Sequence, residues 1–125
     1  MATVRILLIE DNETNAYLAR FVLERRGHEV VEARSGAAGI EKARGGAYDA
    51  VLLDLRLPDG DGCEFVPLLT ALSPAPIIVV SAHATSADRE RSRQAGCAGF
   101  IEKPSDVSRF VARVEGFVRT GPQAG

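Results

Sequence analysis

Tryptophan is absent from the 125 residues, and two Tyr and five Phe bring the aromatic share to only 6%, so the core has to be built from aliphatic side chains. At 46% hydrophobic residues there are enough of them for one compact domain, and the length leaves little room for a second. Cysteine is equally scarce. Cys63 and Cys97 stand far apart, each after a glycine, with no CxxC and no Cys/His spacing. That speaks against a disulfide framework or a zinc site and predicts two reduced, partly buried thiols. No apolar run approaches the roughly 18 residues of a membrane span, and the opening MATVRILLIEDN is too short in its apolar part, and too acidic at its end, for a signal peptide. The expected location is cytoplasmic. A net charge of -2 gives no pull towards nucleic acid or an anionic membrane, so neither is expected as a partner. Repeats and low-complexity tracts are missing, and TGPQAG at 120–125 is expected to be a flexible C-terminal tail.

What is present alternates between two textures. Short runs rich in Val and Ile occur at 4–9 (VRILLI), 29–33 (EVVEA), 50–55 (AVLLDL), 76–82 (PIIVVSA) and 98–103 (AGFIEK). Several are apolar on consecutive residues, as strands buried on both faces of a parallel sheet are. Helices are predicted between them. Residues 14–26 place Leu18, Phe21 and Val22 on one stripe and stop at Gly27; residues 36–44 offer Ala37, Ile40 and Ala43 before Gly45-Gly46. Residues 63–72 give Phe65, Leu68, Leu69 and Leu72, with Pro67 confined to the first turn. The segment 85–95, TSADRERSRQA, has almost no large apolar residue and should be the least firmly docked helix. The last helix, 105–119, is capped by Ser105 and carries Val107, Phe110, Val111, Val114 and Val118. Five β–α units of this size predict an α/β fold: a flavodoxin-like doubly wound five-stranded parallel sheet of order 2-1-3-4-5 with helices on both faces. Ligands in such sheets bind beyond the carboxyl ends of the strands, at the switch point between strands 1 and 3.

The residues at those ends are chemically unusual. Strand 1 runs into Glu10-Asp11 and strand 3 into Asp54, and adjacent strands lie about 4.8 Å apart, so these acids should share one pocket. Three carboxylates that close need raised pKa values or a cation, and hard oxygen ligands without Cys or paired His favour Mg²⁺ or Mn²⁺. Strand 4 ends in Ser81, a hydroxyl; strand 5 ends in Lys103, an ammonium, followed by Pro104. Acids, a divalent cation, a hydroxyl and an ammonium suit a phosphoryl group attached to a carboxylate. Blander roles exist. Asp11 can serve as a helix cap, although Asn12 or Thr14 would do as well and Glu10 is then unexplained. Asp59 and Asp61 in PDGDG are turn formers, and that stretch lacks the spaced acids and terminal Glu of a calcium loop.

In five ordered signals — the acidic pair at 10–11, Asp54 within LLDLRLPDGDG, Ser81-Ala82, Phe100, and Lys103-Pro104 — the chain resembles a response-regulator receiver domain over residues 4 to 119. The resemblance implies that Asp54 is the phosphoacceptor, taking a phosphoryl group from a sensor histidine kinase or histidine phosphotransfer protein. Asp11, Asp54 and the carbonyl of Arg56 would ligate Mg²⁺, with Glu10 acting through a bound water. Lys103 and Ser81 would contact phosphoryl oxygens, the backbone N–H groups of Arg56 and Ala82 would assist, and Lys103–Pro104 would be a cis bond. Phe100 would be the switch aromatic, turning inward when Ser81 is drawn to the phosphoryl group and reshaping the helix 4, strand 5 and helix 5 surface for a downstream protein partner. Ser81 stands where Thr is also common, and Phe100 lacks the hydroxyl of Tyr. Arg56 and His83 flank the path of an attacking water and are expected to tune the phosphoryl lifetime; His28, far from the site, is expected to be exposed. The implied activity is not that of a turnover enzyme. IEDNETN resembles the start of single-domain receivers and of receivers in hybrid kinases, and no output domain is expected after the last helix. Three other functions fit less well. A flavin carrier needs a Ser/Thr/Gly-rich cradle after strand 1, a haloacid-dehalogenase-type phosphatase needs a DxD strand, and a degenerate docking receiver need not retain all five signals.

Overall fold

The computed structural model describes residues 3–82, 85–103 and 107–120. Five strands, β1 (Arg5–Ile9), β2 (Glu29–Ala33), β3 (Ala50–Leu53), β4 (Ile77–Ser81) and β5 (Gly99–Glu102), form one parallel sheet of order β2-β1-β3-β4-β5, as the sequence predicts. Five helices alternate with them: α1 (Glu13–Arg25), α2 (Gly36–Arg44), α3 (Val66–Leu72), α4 (Ser86–Ala95) and α5 (Val107–Thr120). Their starts follow from local chemistry. The Asn12 side chain accepts from the Asn15 N–H, Ser35 accepts from the Ala38 N–H, and Thr85 with Asp88 forms a reciprocal capping box on α4. Gly96 ends α4 in the left-handed conformation at φ 102°, which a β-carbon would oppose.

Strand alternation divides the interior in two. Ile6, Leu8, Leu52, Ile78 and Val80 face Ala16 and Leu23 of α1 and Phe110, Val111 and Val114 of α5. On the other face, Leu7, Ile9, Val51, Leu53 and Ile77 meet Val66 and Leu69 of α3 and Ala43 of α2. Each such aliphatic side chain contributes about 1.5–3 kcal/mol when fully buried, so the central strands anchor the sheet edge that carries the polar residues.

The structure corrects several side-chain placements. In α1 the buried positions are Ala16 and Leu23, while Leu18 and Phe21, expected on the buried stripe, are 45% and 44% exposed. Leu68 of α3 is likewise exposed. His28 is buried rather than exposed. Its Nδ1 accepts from the Val4 N–H at 3.2 Å, so Nε2 carries the proton and donates to Glu115 Oε2 at 2.8 Å. Arg26 completes this cluster through two bonds of 3.0 Å to the same carboxylate, and the guanidinium, with help from His28, holds the Glu115 carboxyl down at about 2. Both cysteines are free and partly buried, and burial pushes the Cys97 thiol up to about 12, well away from thiolate chemistry. Among the described residues no helix is long and apolar enough to cross a membrane. Ser105 and the tail 121–125 lie outside the described residues.

Candidate functional site: an acidic cup at the carboxyl edge of the sheet

The parallel registers decide which side chains meet. Ile9 pairs with Leu53 across β1 and β3, so the residues that follow, Glu10 and Asp54, emerge side by side, with Asp54 N–H donating to Ile9 O at 3.0 Å. Ser81 pairs with Glu102 across β4 and β5, and the Lys103 N–H donates to Ser81 O at 2.7 Å, which aims the lysine back over the cup. Lys103 Nζ lies 2.8 Å from Glu10 Oε1 and 3.5 Å from Asp54 Oδ2. Glu10, Asp54 and Ser81 are buried, whereas Asp11 is exposed at the rim. One carboxylate oxygen from each of Glu10, Asp11 and Asp54 lies within 4.8 Å of the others. Burial pushes the Glu10 carboxyl above its ordinary range and the Asp54 charge adds to the rise, while Lys103 and the Asn12 N–H at 3.1 Å draw it back.

Among the described residues, three acids face one ammonium in the cup, an excess of carboxylate over cation. The donor set is all hard oxygen, with no sulfur or imidazole in the cluster. Such a set fits a divalent cation of the Mg²⁺ type, to be held by Glu10, Asp11 and Asp54.

The remaining predicted residues fall around this centre. Arg56 N–H donates to Asp54 Oδ1 at 3.3 Å, while its side chain points to solvent. Ala82, exposed, follows directly on Ser81. Phe100, in β5, is half-buried beneath the Arg89 guanidinium, 4.7 Å from its ring centre, and its carbonyl accepts from Arg113 at 3.2 Å. His83 and Pro104, with the proposed cis bond, lie outside the described residues.

Sequence reasoning missed what the segment after β3 does. Arg56–Leu57 and Gly60–Asp61 form a short antiparallel ribbon in which Arg56 faces Asp61. A β-carbon on Gly62 would sit 2.3 Å from the Asp54 carbonyl, so only glycine lets this segment close against the acceptor strand; its N–H bonds Leu55 O at 2.8 Å. Asp59 is more than a turn former. It accepts from the N–H groups of Ala37 and Gly36, both at 2.9 Å, and those bonds hold its carboxyl below the ordinary range. The only available signal was the absence of an acid in the first turn of α2, since the partner lies 22 residues away.

A doubly wound sheet with an acidic cup at its switch point is the arrangement that the resemblance to receiver domains implies. The chain belongs to the response regulator receiver domain family, whose model matches residues 6–115. It is similar to the polar-differentiation response regulator DivK of Brucella ovis, with 36% identity over 119 residues that cover 93% of this chain and 97% of that protein. Among solved structures it resembles the CheY-like receiver domain protein of Methanospirillum hungatei (TM-score 0.89, 25% identity, 99% of this chain and 100% of that one). It also resembles a Burkholderia pseudomallei response regulator solved with a phosphorylated aspartic acid, calcium ion and citrate (TM-score 0.83, 27% identity, 92% and 68%). The protein is therefore a receiver domain of two-component signalling, a regulatory module.

Proposed function

We propose that the protein accepts a phosphoryl group on Asp54 from a sensor histidine kinase or a histidine phosphotransfer protein, and that the acylphosphate changes its α4–β5–α5 surface for a downstream protein. The observation that carries this reading is the position of Asp54: buried at the tip of β3, with Oδ2 facing Lys103 Nζ and Glu10 and Asp11 within reach of the same small volume. A carboxylate oxygen of Asp54 attacks phosphorus, the P–N bond to the donor imidazole breaks, and the released ring nitrogen takes a proton. Negative charge that grows on the phosphoryl oxygens is met by the Lys103 ammonium, the Ser81 hydroxyl and the backbone N–H groups of Arg56 and Ala82. Asp11, Asp54 and the Arg56 carbonyl, with Glu10 acting through a bound water, would hold a Mg²⁺ ion, which would supply the positive charge that lets the phosphoryl group approach the acids. Arg56, two residues after Asp54, and His83, two after Ser81, set the lifetime of the product.

Two surfaces suit the partners. Tyr17, Leu18 and Phe21 form an exposed apolar patch on α1, with the Tyr17 and Phe21 rings 6.0 Å apart, and this patch flanks the cup through Leu18. Such a patch fits the helices that present a phosphohistidine. Phe100, turning inward as Ser81 is recruited, would release Arg89 and alter the face read by the output partner. The test is transfer from a phosphorylated histidine phosphotransfer protein. Label should move to the native chain and fail to move to Asp54→Asn; label retained on the variant would overturn the assignment.

A further inference from the structure

Helix α4 is docked in an uncommon way. Its one buried residue is polar: Ser92, 1% exposed, donates to Asp88 O at 2.9 Å and lies 3.8 Å from the Cys63 sulfur. With so little apolar surface, the helix is held largely by arginines. Arg89 reaches Phe100 and Glu102 of β5. Arg91 reaches the other way, to the segment behind the phosphoacceptor: Nη1 lies 2.9 Å from Asp61 Oδ2 and Nη2 3.0 Å from Asp88 Oδ1. The second Asp61 oxygen accepts from the Cys63 N–H at 2.9 Å, so this carboxylate is fixed at both ends. Asp61 in turn faces Arg56 across the ribbon, and the Arg56 N–H bonds Asp54. A path thus runs Asp54–Arg56–Asp61–Arg91, by hydrogen bond, ribbon pairing and ion pair in turn. It spans a cavity of about 240 Å³ walled by Leu55, Arg56, Asp61, Ser81, Asp88 and Arg91.

We propose that Arg91 is a positioning residue, and that the Asp61–Arg91–Asp88 clasp carries the phosphorylation signal from Asp54 to α4 along the ribbon. The inference rests on Asp54 being the phosphoacceptor. An isolated exposed ion pair is worth little, but a guanidinium held by two carboxylates, one of them fixed by a backbone bond, forms a network with defined geometry. Phosphorylation replaces the single charge of the Asp54 carboxylate with a phosphoryl group carrying about 1.5 to 2 negative charges, a net gain of at most about one, beside a cavity whose wall includes the neighbouring Leu55 and Ser81. The added charge competes with Asp61 and Asp88 for the guanidinium, and any displacement of Arg56 moves its ribbon partner. Both effects loosen α4 at Arg91, where apolar packing is too sparse to hold it.

Hydrogen exchange of residues 86–95 in the full chain tests this, with and without Mg²⁺ and beryllofluoride as the phosphoryl mimic. In the native protein the mimic should speed exchange of α4 by about threefold, the size of effect a network of surface charges supports. Arg91→Gln and Asp61→Asn should each exchange fast already and respond to the mimic by half as much or less. The double variant should match either single one, and Arg91→Lys should keep most of the native response. Asp61→Asn retains the oxygen that caps Cys63, so the ribbon stays intact. A native-sized response in Arg91→Gln, or losses that add in the double variant, would overturn the clasp. A native chain that takes no phosphate from acetyl phosphate, read by intact mass, would overturn the phosphoacceptor reading and the clasp with it.

Discussion

Lys103 is the residue on which the cup depends, because among the described residues its ammonium is the one positive side chain in contact with both Glu10 and Asp54. Lys103→Ala should push the Glu10 carboxyl further up and slow phosphorylation from a small donor by about a hundredfold, the usual penalty for losing one charge-stabilising donor; stopped-flow rates on native and variant check it. Glu115 gives a second residue-scale prediction, far from the cup. Its carboxyl is held at about 2 against an ordinary 4.5, so its contribution to stability is complete above pH 4.5 and is lost as pH falls towards 2. Glu115→Gln should therefore lower Tm by roughly 5–10 °C at pH 7, and the gap to the native protein should close in acid; thermal melts across that range decide it. The chemistry of the cup was legible because strand-end acids, a hydroxyl and a lysine are residue types with few other reasons to follow apolar runs. His28, Asp59 and Arg91 were not legible. Each acts through a partner on another element, Glu115, the start of α2 and Asp61 respectively, and nothing in local spacing points across the fold.

At the scale of elements, helix existence and strand order followed from alternating texture, but helix facing did not always follow. In α1 the spacing of large apolar residues pointed to Leu18, Phe21 and Val22 as one stripe; Val22 packs against the core beside the buried Ala16 and Leu23, whereas Leu18 and Phe21 are displayed. Apolar periodicity measures which face is greasy, not which face touches the sheet, and the two diverge where a helix also has to meet a partner. Phe21→Ser should accordingly leave phosphorylation from acetyl phosphate unchanged while slowing transfer from a phosphohistidine protein by about tenfold; parallel assays with the two donors separate these outcomes. Asp59→Ala removes two acceptors from the first turn of α2, which has no acid of its own, and should lower Tm by roughly 5 °C. The weak docking of α4 was foreseen from TSADRERSRQA. How it is held, by arginines reaching in opposite directions, required the fold.

At the scale of the molecule, the sheet gathers into a few ångströms residues that the chain spreads from position 10 to position 103, and the division of labour follows the two faces. One layer of helices, α1 and α5, carries the exposed apolar patch and, at its end, the buried His28–Glu115 pair with the exposed Arg26 closing over it. The opposite side fixes the acceptor strand through Gly62 and the ribbon. The central claim is that this arrangement makes Asp54, and no other carboxylate, a nucleophile towards phosphorus. The most direct measurement is the intact mass of the native chain and of Asp54→Asn after incubation with Mg²⁺ and acetyl phosphate, repeated with chelator. The native chain should gain the mass of one phosphoryl group only when Mg²⁺ is present, and the variant should gain none. Equal labelling of the two proteins would contradict the account.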